Sequence, residues 1–514
     1  MTRRGWAIAI LVAWGASLGW LVKREFFRTT GARLTEAALA IPPGAMFYRL
    51  ELGGQQVGFA SSTVDTLPDT IRVQDVLVLD VPALGRLYRT TARSSATLTR
   101  TLRLQTVDVT FDGDAGRFAA RGEVIGDTLL RVTVVSAGDS QTTRIELTRP
   151  IVLPALLPLR LAFGGELKPG RTYPIRLFDP LLLAERDVVV TIAAESTLVV
   201  ADSADYDSTA MAWVPVRFDT VRAFRIEQES QGLTVSAWID AQGRVVRATS
   251  PVGFTMERSA FEIAYENFRR RDTARVARAS AETQPGDIIA TTAIAAAGTA
   301  VRPEVTPVLR VRLMGVSLDG FDLSGGRQQL VGDTLVVTRE PEAVLRASYR
   351  LPARDTGLAA FLQPEPLIQS TDPRLRAQAR QILGGGRERN PAKAAELLTR
   401  WVYSHLDKEV TVSVPSAVQV LERRRGDCNE HAVLYVALAR AVGLPARLAA
   451  GLVYLRGRFY YHAWPEVYLG DWVAVDPTFG QFPADAAHLR FAVGGLARQV
   501  ELVRLIGRLK LEVL

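Results

Sequence analysis

The chain has 514 residues, of which 48% are hydrophobic and 23% are charged. This composition is typical of globular proteins and excludes a disordered chain, and the length predicts two or three domains. The formal net charge is +8, but the basic residues are spread along the chain and do not cluster with aromatic residues. We therefore predict no nucleic-acid partner. The single cysteine, Cys428, excludes an internal disulfide bond.

The first segment of the chain is uncharged and apolar. Residues 5–22 carry no charge, and a pair of basic residues flanks the run on each side. A helix of about 18 residues just spans the hydrocarbon core of a membrane. No cleavage site of small residues follows, so residues 1–28 are predicted to form an uncleaved membrane anchor, with a buried core helix as the alternative. Basic residues on both flanks leave the orientation open, and a long domain behind a single anchor favours an extracytoplasmic, periplasmic location.

The next and longest segment, residues 29–270, is predicted to be a β-rich domain. Stretches such as residues 70–79 and 130–135 alternate apolar with polar side chains. Turn residues containing glycine separate such stretches at intervals of about ten residues, as in all-β domains. The pattern predicts a large antiparallel sheet that is curved or folded into a sandwich.

A change in composition marks the end of this domain. Residues 271–300 are charged at first and then rich in Ala and Thr, which predicts a linker. Residues 301–360 are predicted to form a small β segment that packs against a C-terminal domain, residues 361–514. Three helix starts open that domain, each with a side chain that can cap the free backbone N–H groups: Asp372-Pro373, Asn390-Pro391 and the capping box Ser416-x-x-Gln419.

Cys428 lies at the start of a fourth predicted helix. Asp427 and Glu430 have the spacing of a capping box, which places Cys428 at the first helical position. Free backbone N–H groups and the positive end of the helix dipole favour the thiolate form there. The same N–H groups can stabilise an oxyanion on an acyl group that the sulfur attacks. The alternative for a lone cysteine is a small buried hydrophobic residue.

A histidine and an aspartate follow on two predicted strands of one hairpin, with Gly470-Asp471 at the turn. A two-residue loop would place His462 and Asp476 on opposite faces of the hairpin. A three-residue loop, residues 469–471, shifts the register and places both on one face. A catalytic pair therefore requires the longer loop or a bulge at Pro465. A thiol, an imidazole and a carboxylate in this arrangement are typical of a nucleophile, its base and the group that orients the base.

The motifs of this region resemble the bacterial transglutaminase-like superfamily. The resemblance covers roughly residues 365–485 and is carried by Gly426-Asp427-Cys428-x-Glu430-His431-Ala432, residues 438–447, His462-Ala463-Trp464 and Val475-Asp476-Pro477-Thr478. It implies a papain-like core that performs acyl transfer on amides. It also implies that Cys428 is the nucleophile, His462 the base and acid, and Asp476 the residue that orients the imidazole. Relatives include cross-linking enzymes, proteases, amidases and inactive members.

These observations predict an α+β multidomain protein. Its parts are an N-terminal transmembrane helix, a large antiparallel β domain and a C-terminal papain-like transglutaminase core with helices packed on an antiparallel sheet. The predicted function is thiol-dependent hydrolysis or acyl transfer on peptide or amide bonds of a protein or peptide substrate, without a cofactor. Hydrolysis is favoured, because no feature of the sequence indicates a site for a lysine donor.

Two alternatives remain open at this stage. In the first alternative the protein is not an enzyme: the β-rich domain binds a lipid or an envelope partner, and the triad has only a structural role. A zinc site built from Cys428, His431 and His462 is conceivable, but Asp476 and the helix N-terminus fit thiol catalysis better. His431 either borders the site or packs as an ordinary helix residue. The second oxyanion donor is not placed, because Trp401 and Gln419 precede the cysteine but match no motif of the family, and His405 and His488 belong to no cluster of candidate residues.

Overall fold

In the computed structural model the described residues are 41–514, without 84–85, 114–115, 137–138, 148–149, 165–166, 180–183, 231–232, 251–252, 272–288, 290–291, 342 and 412–415. The predicted anchor at residues 1–28 lies outside these residues, as does most of the predicted linker at 271–300. Among the described residues no helix is both long enough and apolar enough to cross a membrane.

The first half of the described chain forms a 14-stranded antiparallel sheet. Its strands run in two meanders, β1 to β8 and β9 to β14, which join where β1 pairs with β14. The strands are β1 Gly44–Leu52, β2 Gln55–Thr66, β3 Thr70–Ala83, β4 Arg86–Thr99, β5 Leu104–Gly113, β6 Gly116–Ile125, β7 Leu129–Ser136, β8 Asp139–Glu146, β9 Thr172–Asp179, β10 Ala184–Asp207, β11 Ala212–Ser230, β12 Leu233–Asp240, β13 Val245–Thr249 and β14 Phe254–Ser259.

One short helix connects the two meanders and packs against both. It is α1, Leu157–Gly164, preceded by a 3₁₀ turn at Pro154–Leu156. Leu159 belongs to an apolar cluster with residues of β2 to β7, whereas Leu157 and Leu161 belong to a cluster with residues of β9 to β12. Because a single helix contacts both halves of the sheet on one face, the sheet curves around it. A second short helix, α2 (Asn267–Arg270), follows a π-helical turn at Glu262–Glu266.

The remaining strands form a second sheet, which contains nine strands of the described residues. Its order is β17-β18-β16-β25-β15-β22-β21-β24, and β23 pairs with β22 beside this path. The strands are β15 Ile294–Gly298, β16 Val308–Met314, β17 Gln328–Val331, β18 Thr334–Thr338, β21 Ala446–Leu455, β22 Arg458–Tyr468, β23 Trp472–Ala474, β24 His488–Val493 and β25 Lys510–Val513; a separate two-stranded pair is β19 Asp407–Lys408 with β20 Arg425–Gly426.

Four helices pack together beside this second sheet: α3 Pro373–Ile382, α4 Pro391–His405, α5 Ala417–Arg423 and α6 Cys428–Ala441. Their apolar residues form one cluster with residues of β21 to β23. A last short helix, α7 (Leu496–Gln499), leads into a 3₁₀ turn at Val500–Leu505. Helix α6 is the central one, because nearly all of its residues after the first turn are buried.

The helix starts follow the predicted caps in three of four cases. Asp372 accepts the N–H of Arg374, and Asn390 accepts the N–H of Lys393, each ahead of a proline in the first turn. The capping box at α6 is also present. The predicted box at Ser416 is wrong, because its side chain makes no capping hydrogen bond and instead accepts the amide of Gln369 at 2.9 Å.

The predicted fold class is wrong. Among the described residues strands account for 50% and helices for 20%, so this part of the protein is mainly β rather than α+β. The predicted transmembrane helix lies outside the described residues. The physical reason lies in the strands that precede and follow the helices. Strands β15 to β18 and the late strand β25 join β21, β22 and β24 in one sheet and do not form a separate small segment. The predicted domain boundaries stay predictions.

Candidate active site

Cys428 occupies the first position of α6, where the capping box holds the chain. Asp427 Oδ1 accepts the N–H of Asn429 at 2.8 Å, and Glu430 Oε2 accepts the N–H of Asp427 at 3.0 Å. The preceding Gly426 has a φ of 158°, and a Cβ placed there would lie 2.3 Å from the Cβ of Glu430. The close packing of Glu430 on this glycine fixes the direction in which the chain enters the helix, and thereby the position of the sulfur.

The N-terminus of α6 lies against an open part of β22. One edge of β22 pairs with β21 along its length. The other edge pairs with β15 at Arg458 and Phe459 and with β23 at Glu466–Tyr468. In the part of the chain that the structure describes, residues 460–464 of that edge pair with no strand, and there the backbone N–H of Ala463 donates to the sulfur of Cys428. A gap in the sheet edge therefore receives the thiol.

The hairpin that follows has the longer of the two predicted loops. Tyr468 pairs with Trp472, so residues 469–471 form a three-residue connection. In this register His462 and Asp476 lie on the same face. The Nε2 atom of His462 lies 2.7 Å from Oδ2 of Asp476, and both side chains are buried. The structure thus brings together the imidazole and the carboxylate that the sequence singled out.

Each oxygen of the Asp476 carboxylate faces two hydrogen-bond donors. Its Oδ1 atom accepts the backbone N–H groups of Thr478 at 2.7 Å and Phe479 at 3.1 Å. Its Oδ2 atom faces two imidazoles, those of His462 and His488. Burial alone would raise the pKa of Asp476, but the charges and hydrogen bonds of the two histidines outweigh burial and hold this pKa well below its ordinary value. Asp476 is therefore a stable anion.

His488 was not part of any sequence prediction, yet it is part of this cluster. Its Nε2 atom lies 2.9 Å from Asp476 Oδ2, and its Nδ1 atom lies 2.9 Å from Asp485 Oδ1. Both ring nitrogens face carboxylate oxygens, so both carry protons and the ring is an imidazolium. Burial opposes this charge, but the two carboxylates outweigh it and raise the pKa of His488. The spacing of Asp485 and His488 is a weak signal, and only the pairing of β24 with β21 brings His488 to the site.

The ring of His462 is also held from its faces. Phe479 stacks on it with ring centroids 5.0 Å apart, and Trp464 lies at 6.0 Å in a stacked arrangement. The hydrogen bond to Asp476 and these ring contacts together fix the orientation of the His462 imidazole. Because Nε2 donates to Asp476, the neutral ring carries its lone pair on Nδ1.

The helix start is not the only influence on the thiol of Cys428. Burial and then the negative charge of Asp427 raise the pKa of Cys428 well above its ordinary value, and the N–H of Ala463 offsets only part of this effect. Burial and the neighbouring Glu430 in turn raise the pKa of Asp427 well above its ordinary value, so the two capping residues act on the sulfur as a coupled pair of carboxyl groups. These surroundings oppose the thiolate that a helix start alone would favour.

The other residues considered from the sequence lie apart from this chemistry. Trp401 stacks on His405 at 4.6 Å, and the Gln419 amide donates to the carbonyl of Arg117 at 2.9 Å, so neither is directed at the sulfur. His431 is buried and donates from Nδ1 to the carbonyl of Asp427 at 2.7 Å, as a packed helix residue does. Burial lowers its pKa.

The residues that could bind a metal ion in the structure differ from the set Cys428, His431 and His462 that was considered from the sequence. His462, Asp476 and His488 offer ligand atoms within 4.8 Å of one another. Each of these atoms is already engaged, because one carboxylate oxygen accepts hydrogen bonds from both imidazoles. A metal would have to displace both protons from a buried anion that they neutralise, so the set fits hydrogen bonding better than metal binding.

Cys428 and His462 open into the same cleft, whose volume is about 200 Å³. The far wall of this cleft comes from the end of the chain, and it is apolar apart from one amide. The lining residues are Cys428, Asn429, Ala450, Tyr461, His462, Ala463, Gln499, Leu502, Val503 and Ile506. Tyr461 also lines this cleft and packs against the apolar cluster of β16, β18 and β25, and its hydroxyl is buried and has no hydrogen-bond partner among the described residues. Such a group requires an explanation, because an unpaired buried hydroxyl is costly.

Comparison with known proteins finds similarity for part of the chain. Residues 376–477 match the family described as the transglutaminase-like superfamily, and this segment contains Cys428, His462 and Asp476. An uncharacterized protein of Mycobacterium leprae, ML0607, is 31% identical over 100 residues, which is 17% of this chain. The chain spans 35% of the length of that relative. The matched segment is therefore similar to the transglutaminase-like superfamily and lies within a longer chain whose described part is mainly β.

Two solved structures are also similar in part. One is described as a "putative cysteine protease" from Cytophaga hutchinsonii, with 17% identity, a TM-score of 0.28 and coverage of 43% of this chain and 82% of that one. The other is a β-barrel-like protein of the DUF1849 domain from Brucella abortus, with 12% identity and a TM-score of 0.30. It is covered over 95% of its length, against 43% of this chain.

Proposed function

We propose that this protein is a thiol-dependent enzyme that attacks amide or peptide bonds through Cys428, His462 and Asp476. The observation that supports the proposal most is the buried hydrogen bond of 2.7 Å between His462 Nε2 and Asp476 Oδ2, next to a cleft that the thiol also lines. Members of the transglutaminase-like superfamily are commonly cysteine hydrolases or acyltransferases. The geometry and the family match point to the same reaction class.

The reaction starts from a neutral thiol and a neutral imidazole. His462 Nδ1 takes the proton of Cys428 as the sulfur attacks the amide carbonyl carbon, and a tetrahedral intermediate forms. Asp476 stabilises the resulting imidazolium through Nε2. The imidazolium then gives its proton to the amide nitrogen, the C–N bond breaks and an amine leaves. A thioester between Cys428 and the acyl group remains.

The thioester is resolved by a second nucleophile. Either water or a primary amine gives a proton to His462 Nδ1 and attacks the thioester carbonyl, and the sulfur leaves with that proton returned. Water yields a carboxylic acid, whereas an amine yields a new amide. We favour water, because the cleft lining, as far as the structure describes it, offers no carboxylate that could hold a lysine ammonium group.

The oxyanion of the intermediate needs donors on the side of the helix start. The backbone N–H of Cys428 is free at the first position of α6 and is the first donor. We propose the hydroxyl of Tyr461 as the second donor, because this residue lines the cleft and its hydroxyl lacks a partner within the described part of the chain. A substrate oxygen would complete the hydrogen bonding that this hydroxyl lacks.

Trapping of the thioester tests the proposal. The full chain is incubated with a library of peptide amides, quenched in acid and analysed by intact-protein mass spectrometry. We expect acyl adducts on wild type that map to Cys428, and none on Cys428→Ala. A matched variant, Cys428→Ser, is expected to form a stable ester at a much lower rate. Turnover that persists in Cys428→Ala would contradict the proposal, as would adducts on other residues.

A further inference from the structure

A second cavity lies far from the cysteine, inside the curve of the 14-stranded sheet. Its volume is about 380 Å³, within the range of about 300–1,000 Å³ that small-molecule sites occupy. The floor comes from β1 to β5, and the roof comes from α1 with the residues before it and from the turn between β12 and β13. Most of its lining is apolar: Met46, Ala60, Val64, Val73, Val76, Leu77, Ala92, Val109, Ala155, Pro158, Leu159, Val245 and Met256.

The roof is fixed in place by close backbone packing. Gly243, in the turn that leads to β13, has a φ of 72°, and a Cβ placed there would lie 2.7 Å from the carbonyl oxygen of Pro158. The turn and the start of α1 therefore touch through their backbones, and only glycine permits this approach. Because α1 is also packed into both halves of the sheet, the roof is a built part of the fold.

Small residues on the floor create the space. Gly44, Ala60 and Ala92 line the cavity at positions where the neighbouring strands carry larger side chains. Interiors of proteins are otherwise packed as densely as organic crystals. This cavity is partly open to solvent, and its size between elements that contact each other firmly leaves room for a small molecule.

A single carboxyl group lies on this apolar floor. Asp75 on β3 stands directly opposite Ser62 on β2 and Ser94 on β4, so three polar side chains form one row across three strands. Ser62 Oγ donates to Asp75 Oδ1 at 2.6 Å, and Ser94 Oγ donates to Oδ2 at 3.2 Å. Burial outweighs these two hydrogen bonds and raises the pKa of Asp75. A carboxyl group in such surroundings costs free energy of folding and is retained where it has a use.

We propose that this cavity binds a small apolar molecule whose terminal hydrogen-bond donor, an ammonium or a hydroxyl group, contacts the carboxyl group of Asp75. The apolar lining contacts the hydrocarbon part of the ligand, and the carboxyl group of Asp75 accepts a hydrogen bond from its polar end. The site shares none of its described lining residues with the cleft at Cys428, so it is a binding function separate from the proposed reaction.

The choice of a donor follows from the hydrogen bonds already present. Each oxygen of Asp75 accepts one serine hydroxyl and keeps a free lone pair, so the group can still accept a donor from a ligand. Two arginines also line the cavity, but each has another partner. Arg93 pairs with Asp112 at 3.3 Å, and Arg244 donates to the carbonyl of Pro42 at 3.2 Å. An anionic ligand would face the carboxyl group of Asp75, and among the described lining residues only Arg244, whose side chain donates to a neutral carbonyl, could oppose this repulsion.

Calorimetric titration of the full chain with three probes of equal length tests this proposal. The probes are decylamine, decanol and decanoate at neutral pH. We expect decylamine or decanol to bind, and decanoate to bind about tenfold more weakly or not at all, as expected for the loss of one hydrogen bond to a charged group. Binding by decylamine alone assigns the site to ammonium ligands, and binding by both assigns it to hydroxyl donors as well.

Two variants locate the site. Asp75→Asn, which keeps the size of the side chain, is expected to weaken decylamine binding about tenfold, whereas the exposed Asp69→Asn leaves it unchanged. Ala92→Phe fills the cavity and is expected to abolish binding of every probe, with thermal unfolding as the control for folding. The proposal is overturned if decanoate binds most tightly, if no probe binds, or if Asp75→Asn and Asp69→Asn bind decylamine alike.

Discussion

His488 donates to the same carboxylate oxygen of Asp476 that His462 contacts, at 2.9 Å and 2.7 Å respectively. The second nitrogen of His488 donates to Asp485, so a buried cation lies between two carboxylates. The negative charge that orients His462 is therefore partly neutralised before any reaction begins. This arrangement couples the stability of the site to the protonation of a residue that does not line the cleft, and it leads to the first prediction.

Stability should fall as the pH rises through the pKa of His488. The folded state raises this pKa above the unfolded value of about 6.5, so the stabilising charge is fully present below that pH and is lost as the pH rises through the folded pKa. Urea unfolding of wild type is expected to show this loss. His488→Gln is expected to cost roughly 3–5 kcal/mol at pH 6, because two buried carboxylates lose their cation, and less at high pH.

The matched control for this prediction is His405→Gln. His405 is an exposed histidine at the end of α4, where its ring contacts Trp401 and Ser404. Its replacement should leave the pH dependence of stability unchanged. Equal pH profiles for wild type and His488→Gln would show that His488 carries no charge in the folded protein.

The variant Asp476→Asn tests how far the proposed reaction depends on the negative charge beside His462, with thermal unfolding as the control for the lost partner of His488. The side-chain oxygen of the asparagine could still accept the N–H groups of Thr478 and Phe479, but the amide group cannot neutralise the imidazolium of His462. In a comparable triad such a change lowers kcat about 10⁴-fold. We expect a loss of that order in kcat with little change in KM, measured on whichever peptide amide forms the thioester. The exposed Asp471→Asn, in the same hairpin, should keep full activity.

The alkylation of Cys428 should respond to its capping residue. Because burial and Asp427 raise the pKa of the thiol, reaction with iodoacetamide should reach half of its maximal rate above the ordinary thiol pKa of about 8.5. Asp427→Asn keeps an oxygen that can cap the helix and removes the charge, so this midpoint should move to lower pH. A wild-type thiol that reacts fully at pH 6 would contradict the prediction.

Tyr461→Phe should lower the rate without lowering stability. If the hydroxyl stabilises the oxyanion, its removal is expected to reduce kcat about 10²-fold, as for other oxyanion donors. Because the hydroxyl has no partner among the described residues of the free protein, the free energy of unfolding should stay the same or rise. Tyr460→Phe, the neighbour on the other face of β22, is the control. Loss of stability with unchanged kcat would assign Tyr461 to packing.

The parts of the site that depend on local sequence could be predicted. The capping box around Cys428, the two helix starts ahead of prolines and the condition on the hairpin loop all follow from residues within a few positions of each other. Ser416 is the exception, because Gln369, far away in the chain, takes the oxygen that would have capped α5. A short motif such as the capping box cannot predict a hydrogen bond to a residue that is distant in the sequence.

The remaining features depend on pairing between distant strands. His488 reaches Asp476 because β24 adds to β21, and the sequence carries no sign of that pairing. The mainly β character was missed for the same reason, since β15 to β18 look like a separate segment until β25 connects them to the rest. The raised pKa of Cys428 was missed because the helix dipole was considered without the two capping carboxylates.

The place of β25 in the second sheet has a consequence for biosynthesis. Strand β25 pairs with β15 on one side and with β16 on the other, so among the described strands it alone joins β16 to β18 to the strands of the cleft by backbone pairing. A ribosome makes residues 510–513 long after the nucleophile and directly after the cleft wall at residues 499–506. A growing chain therefore carries its cysteine without a finished site. Assembly of the proposed enzyme is complete only after β25 has been made, which delays any thiol chemistry until the whole sheet has closed.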